Sequence, residues 1–444
     1  MTDTAEPTAA TAEDVDLDDF GLFDPAVQQC PHAYYARMQT DAPVFVAATP
    51  AGKLHLVTRY DDVSDVIRDI DTFSSRFDTS GQGSNSELVA RMNELYEQEG
   101  GYDRIGTMLT VDPPDHTRYR RLVSKAFTPK VIADLEPTIR EITTGLIDGM
   151  FEVMERDGVV EFVETFAVPL PVTVIAKALN VPDDRLADFK RWSDASIAGI
   201  GTNITIEQRL DAEREVIEYQ KYFAEQLELR RTEPQDDILT NLLNARIDRE
   251  DVGPNGEALD DEPLTMAEML SIIQQLLVAG NETTTKFLTE MARLLCENPE
   301  EFTKLKADPS RAKAVGEEAL RLSTPTQGMF RVVTGDAEVA GCPLSEGDRA
   351  VVMFSAANRD PGVFPDPDAF NPDRDNLTSH LAFGKGTHFC LGAALSRLEG
   401  KVAAEELSRR LSAISLAEGN DFAYHPSFML RGLVRLDVHV EADS

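Results

Sequence analysis

Positive charge is what this chain most lacks. Its 444 residues include 43 Lys and Arg against 78 Asp and Glu, a formal net charge of −35. A surface of that sign repels phosphate backbones and anionic lipid, so nucleic acid and membrane surfaces are set aside as partners. Cysteine is also scarce. Cys30, Cys296, Cys342 and Cys390 stand far apart, with no Cys-x-x-Cys pair. That spacing argues against both a zinc site and a disulfide framework. No apolar run reaches the ~18 residues that a bilayer-spanning helix needs. The first 19 residues are rich in Ala, Thr, Asp and Glu. They lack the basic and apolar blocks of a signal peptide and read as a disordered acidic leader. The protein is therefore expected in the cytoplasm.

What is present is a core-forming chain, 42% hydrophobic, with no repeat and no linker. Residues 20–444 are expected to form one domain, mainly α with small β-sheets. Apolar spacing predicts helices over Pro31–Thr40, Tyr60–Asp69, Ser86–Glu99, Ile206–Arg231, Asp236–Arg246 and Leu264–Cys296, and Val168–Leu179 is apolar enough to be core. Thr128-Pro129 is an N-cap followed by proline, opening a helix expected to run to about Arg156. Further helices start near Asp115, Pro182 and Pro309. Short strands are expected at Val44–Ala47, Leu54–Val57, Phe330–Thr334, Glu338–Ala340, Ala350–Phe354, Phe428–Leu430 and Leu433–Val440. The 77–85 stretch reads as a mobile link, and Gly199–Thr205 as either a lid over a ligand pocket or a plain helix-helix link.

One stretch organises the rest: Phe383-Gly384-Lys385-Gly386-Thr387-His388-Phe389-Cys390-Leu391-Gly392. A lone cysteine is usually a small buried hydrophobe. This one follows two glycines and precedes an amphipathic helical run, Leu391–Leu411, so it sits at a helix N-terminus. The dipole and free N–H groups there favour a thiolate. A thiolate on glycine-flanked backbone is a suitable axial ligand for haem iron. A second anomaly lies within the longest helix, where Ala279-Gly280-Asn281-Glu282-Thr283-Thr284 interrupts an apolar centre. Glycine there costs about 1 kcal/mol relative to alanine, and a buried carboxylate costs more unless paired. Either the segment is a functional site, or Glu282 emerges to solvent and Gly280 permits close helix packing.

Phe-Gly-x-Gly-x-His-x-Cys-x-Gly resembles the haem-binding loop of cytochromes P-450, the haem-thiolate monooxygenases. Four other motifs follow the family's order: His116-x-x-x-Arg120, Ala279-Gly280-x-Glu282-Thr283, Glu318-x-x-Arg321 and Phe370-x-Pro372-x-Arg374. The resemblance covers about residues 20 to 440 and is to the soluble bacterial members. Only the Ser80–Ile105 stretch departs from it, being longer and more polar. It implies a triangular prism of helices around a buried haem b, held without thioether links since no Cys-x-x-Cys-His occurs. Dioxygen is then the co-substrate, and NAD(P)H electrons arrive through a separate ferredoxin and ferredoxin reductase.

By the same resemblance, Cys390 ligates the iron, with Phe383, Gly384, Gly386 and Gly392 shaping the loop around the cofactor. His116, Arg120, Arg331 and His388 meet its propionates. Glu318, Arg321 and Arg374 form a structural brace. Thr283 is assigned to the dioxygen and an ordered water, Glu282 to a proton relay on the helix's inner face, and Gly280 to oxygen space and a local helix distortion. The substrate pocket is expected to include Gln275, Leu276, Val278, Ala279, Gln327, Met329, Met429 and Leu430, which suits a small hydrophobic substrate. Lys125, Arg118, Arg121, Lys385, Arg397 and Lys401 either form a basic patch for an acidic ferredoxin or are scattered solvated charges. A monomer is expected. The leading function is monooxygenation of a terpenoid, steroid, fatty acid or aromatic. The alternatives are a peroxide-driven peroxygenase, a haem-thiolate isomerase or a non-catalytic haem sensor.

Overall fold

The computed structural model describes residues 11–49, 52–76, 86–198, 204–248, 251–253 and 256–443. The fold is mainly helical with small sheets at its margins, as the sequence patterning predicts. At the centre runs the helix Met266–Glu297. Its start is fixed chemically. Thr265 accepts from the Glu268 N–H at 3.2 Å, and Glu268 accepts from the Thr265 N–H at 2.7 Å, a capping box that satisfies two otherwise orphaned donors. The same Glu268 receives Arg118 (2.9 Å) and the Tyr119 hydroxyl (2.8 Å), tying the helix Asp115–Ala126 to this end.

Both faces of the central helix are covered. Pro169–Ala178 and Leu186–Ile197 pack on one side, and Ala312–Ser323 and Ala393–Arg410 on the other. The last contact is unusually close. A Cβ at Gly400 would lie 2.4 Å from the Phe287 ring, so only glycine lets the two helices approach this far. One continuous core runs through these elements, including Trp192, Phe223, Phe287 and Leu407.

The largest sheet has the order Val44–Thr49, Gly52–Val57, Arg349–Val352, Met329–Val333, Phe73–Ser74. Its Gly52–Val57 and Arg349–Val352 pair is parallel and the others antiparallel. This brings Met329 and Arg331 to the wall of the central cavity. No helix among the described residues is long and apolar enough to cross a membrane.

Several expectations need correction. The helix opened by Thr128 is two helices, Pro129–Asp134 and Glu136–Asp157; Pro137 supplies no N–H to continue the first. Residues 11–19 of the expected leader form two 3-10 turns, Ala12–Asp14 and Leu17–Asp19, the second packing Leu17 on the core. Residues 1–10 lie outside the described residues, as do 77–85 and 199–203 of the two expected links. The Phe428–Leu430 strand reduces to a single bridge, Thr326 with Leu430. The last strand starts only at Asp437, and its partner Leu411–Leu416 and the helix Pro299–Ala307 were not legible from the sequence.

Candidate active site

A cavity of about 750 Å³ lies between the central helix and the cysteine loop. The loop is turned by two left-handed glycines, Gly384 (φ 65°) and Gly386 (φ 68°). There a side chain would be strained. The Cys390 N–H donates to Phe383 O at 2.9 Å, which closes the loop and leaves the sulfur on the cavity wall. The Gly392 and Ala393 N–H groups point at the sulfur, and Arg120 and Arg397 add positive charge. Burial nevertheless pushes the free thiol up, so the helix start alone does not make the thiolate.

Facing the loop across the cavity are Ala279, Gly280, Thr283 and Thr284. The helix passes this point unbroken, contrary to the expected distortion. Thr283 donates its hydroxyl proton to Ala279 O (2.6 Å), leaving the oxygen lone pairs toward the cavity. A Cβ on Gly280 would meet only Ile175, at 3.8 Å. Glycine is therefore not required there by packing.

Glu282 is elsewhere. Successive helical residues are about 100° apart around the axis, and Glu282 turns away from the cavity into a buried ion network. Lys286 donates to it at 2.8 Å and Lys190, on the helix Leu186–Ile197, lies at 3.6 Å. Burial pushes its carboxyl up, but Lys286 and Lys190 outweigh that and hold it below the usual range. The inner-face position expected for Glu282 is thus corrected: its carboxylate joins two helices and does not line the cavity.

The expected cations do gather. His116, Arg120, Arg331 and His388 all line the cavity. The His116 and His388 rings are 4.2 Å apart. His116 Nδ1, His388 Nε2 and Arg331 Nε are buried without a hydrogen-bond partner. Arg120 has no ion-pair or hydrogen-bond partner among the described residues. Burial pushes His116 down to about 4, His388 to about 3 and Arg331 to about 10, with the neighbouring cations adding to the effect on both histidines. Two arginines, Arg331 buried and Arg120 partly so, beside two histidines with orphaned ring nitrogens are costly unless an anion completes them. A dicarboxylate with a flat apolar body, beside a cysteine sulfur, meets that demand. These residues fit haem b.

Of the expected pocket residues, Gln275, Leu276, Val278, Ala279 and Met329 line the cavity. Gln327, Met429 and Leu430 do not. The Thr326–Leu430 bridge presents Pro325 and Thr326 to the cavity instead. Gln327 turns inward, its amide donating to Thr324 O at 2.6 Å, and Met429 and Leu430 pack in the core behind the sheet. Phe383, Gly384 and Gly392 line the cavity, whereas Gly386 shapes the turn from outside it.

Behind the loop, Glu318 accepts from Arg321 (2.8 Å, through both Nε and Nη2) and from Arg374 Nε (2.8 Å), with the Glu318 and Arg321 side chains fully buried. A second brace was missed. Glu317, one residue earlier, accepts from Arg397 on the cysteine helix (2.6 and 3.0 Å) and pairs with His380 (3.0 Å). The Arg397 guanidinium lies 4.5 Å from the centre of the Phe383 ring in the loop. Nothing in the Glu317-Glu318 dipeptide itself separates the two roles. Most of the expected basic patch is compensated: Arg118 is buried, Lys125 pairs with Asp248, Arg121 with Asp251, Arg397 with Glu317 and Lys401 with Glu136, while Lys385 lies 5.9 Å from the Tyr60 ring centre with no carboxylate partner among the described residues.

One cysteine sulfur beside two arginines and two histidines with unmet hydrogen-bonding atoms, with a helix bearing a small residue and a hydroxyl opposite, defines a haem-thiolate site. Sequence comparison agrees. Residues 203–414 match the family Cytochrome P-450. The chain is 34% identical over 427 residues to cytochrome P-450 107B1 of Saccharopolyspora erythraea, covering 95% of this chain and 98% of that one. It is 33% identical to the vitamin D(3) 25-hydroxylase of Pseudonocardia autotrophica, covering 94% and 95%. It also superposes on a Bacillus megaterium P-450 solved in complex with corticosterone, with TM-score 0.76, 31% identity and coverage of 93% and 99%. The chain belongs to the cytochrome P-450 family. It is a haem-thiolate monooxygenase, using haem b, dioxygen and NAD(P)H-derived electrons delivered by redox partners. Bound haem supplies the activation of dioxygen, with the thiolate donating electron density to the iron.

Proposed function

We propose that this monooxygenase oxidises a bulky hydrophobic small molecule in the steroid or terpenoid range, with fatty acids and aromatics as further members of the class. Electrons come from a separate ferredoxin and its reductase, and the enzyme works as a cytoplasmic monomer. The observation that carries this reading is the lining of the cavity. Near the cysteine loop it is aliphatic, with Ile175, Leu276, Val278, Ala279 and Met329. Such a surface excludes water and holds an apolar skeleton by contact rather than by charge. Relatives named for vitamin D(3) hydroxylation and solved with corticosterone support a substrate of sterol size.

The chain's own residues have distinct roles in this proposal. Cys390 holds the iron, and the Gly392 and Ala393 N–H groups hydrogen-bond its sulfur and tune it. His116, Arg120, Arg331 and His388 bind the propionates. Thr283, its own proton spent on Ala279 O, accepts from and orders a water that delivers protons to the dioxygen. Gly280 keeps the wall beside Ile175 open.

Two measurements test the proposal. The reduced, carbon monoxide-bound protein should show the red-shifted Soret band of thiolate ligation. Steroids and terpenoids should then shift the ferric haem from low to high spin more strongly than fatty acids or small aromatics do. A spin shift produced by linear fatty acids alone would reject the polycyclic class.

A further inference from the structure

Gln274 and Gln275 stand side by side on the central helix, inside the apolar run from Ile272 to Leu277, and both line the cavity. The oxygen chemistry uses neither. Which end of each amide faces a ligand follows from counting hydroxyl protons. Ser271 donates its only hydroxyl proton to Ile105 O at 2.8 Å. Its 3.2 Å contact with Thr107 is then a hydrogen bond only if Thr107 is the donor. That spends the Thr107 proton, so Thr107 accepts from Gln275, whose amide nitrogen is the atom facing it.

The count repeats one residue away. Ser196 gives its proton to Trp192 O at 2.8 Å, so it accepts from the Gln274 nitrogen at 2.9 Å. Both amide nitrogens are therefore anchored to the protein. Neither side-chain oxygen has a partner among the described residues. Gln220, which also lines the cavity, is the contrast. Its oxygen accepts from the Tyr102 N–H (2.9 Å) and its nitrogen donates to Tyr102 O (3.2 Å), so both of its ends are engaged. The nearby Arg104 is likewise engaged, by Glu213 at 2.7 Å.

We infer that the side-chain oxygens of Gln274 and Gln275 recognise a hydrogen-bond donor, a hydroxyl or N–H, at the end of the substrate remote from the carbon that is oxidised. The inference rests on the proposed hydrophobic substrate class and narrows it to members carrying such a donor. Eight residues separate Gln275 from Thr283, about 12 Å at 1.5 Å per residue. That is the separation set between the donor and the reacting carbon. Each amide keeps one further N–H against two oxygen lone pairs. The discrimination against a keto or ether oxygen is therefore one of degree, about fivefold to tenfold for a single hydrogen bond.

The test uses the haem-loaded, full-length protein and probes that bind the iron whatever the natural substrate: 1-alkylimidazoles of increasing length ending in a hydroxyl, a methyl ether or a methyl ketone. Kd is read from the spectral shift. At the chain length that reaches the pair, the hydroxyl probe should bind about fivefold to tenfold tighter than its ether. Gln274→Leu and Gln275→Leu should each reduce that ratio, while Kd for the plain alkyl probe stays within about twofold and so shows an intact cavity. Equal affinities of hydroxyl and ether probes at every length in the unsubstituted protein overturn the inference. So does a ratio that survives in both variants. Neither result touches the monooxygenase reading, which fails separately if the carbon monoxide complex lacks the thiolate band.

Discussion

At the scale of single residues, the site separates two neighbours that the sequence presents together. Glu282 and Thr283 look like an acid and an alcohol working as a pair. In the fold one faces an ion network and the other the cavity. Thr283 is then the residue whose loss should be felt in the chemistry. Thr283→Ala should leave haem content and the substrate-induced spin shift unchanged. Product formed per electron pair should fall on the order of 10-fold or more, the value of one hydrogen bond to a charged reacting group, with the missing electrons recovered as hydrogen peroxide. Unchanged coupling of reductant to product would remove Thr283 from proton delivery. The cation cluster teaches a related lesson. His116 and His388 are driven toward the neutral form by burial beside other cations, so what sequence motifs present as four positive charges is, before the cofactor binds, a set of donors awaiting an anion.

At the scale of elements, the cysteine loop is held from behind by two consecutive glutamates on one helix. Glu317 is the less obvious. Burial pushes its carboxyl up, but the His380 and Arg397 hydrogen bonds outweigh this and pull it from 4.5 to about 2. A carboxylate with a lowered folded pKa contributes stability that is present above its unfolded pKa and is lost as pH falls through the folded one. Glu317→Gln should therefore destabilise the protein at neutral pH by on the order of 3 kcal/mol, as for one broken partner of a buried pair. The gap between variant and parent should narrow as pH falls from about 4.5 to about 2. Denaturant midpoints across that range check both the size and the direction. A gap that widened on acidification would place the pairing energy elsewhere.

At the scale of the whole molecule, charge decides how electrons arrive. The basic residues around the loop are largely engaged by carboxylates, and the net charge of −35 remains. Among the described residues an acidic ferredoxin then meets few unpaired basic side chains, Lys385 being one, and a repulsive long-range field. Its second-order rate of reducing the haem should rise, or stay flat, between about 0.05 and 0.2 M salt as the Debye length shortens. Stopped-flow reduction over that range checks this. A rate that fell steeply with salt would restore the basic patch.

The sequence by itself determined the chemistry class. Cys390 in its glycine loop is a local backbone feature, whereas the roles of His116, Arg120 and the Glu318, Arg321 and Arg374 brace came from the resemblance of their motifs to the family's, since Arg374 meets Glu318 from 56 positions away. Most of the helices were legible, because apolar periodicity is a local property, with Pro299–Ala307 and the break after Asp134 the exceptions. Tertiary structure alone decided which way polar side chains point. It took Glu282 out of the cavity, turned Gln327, Met429 and Leu430 into the core, buried Arg118, and set Glu317 behind the loop. It also fixed the amide ends of Gln274 and Gln275 through Thr107 and Ser196, residues 168 and 78 positions away. The physical reason is the same in each case. A buried polar group must find its partner, and that partner lies on another element, so its orientation is a property of the packed molecule.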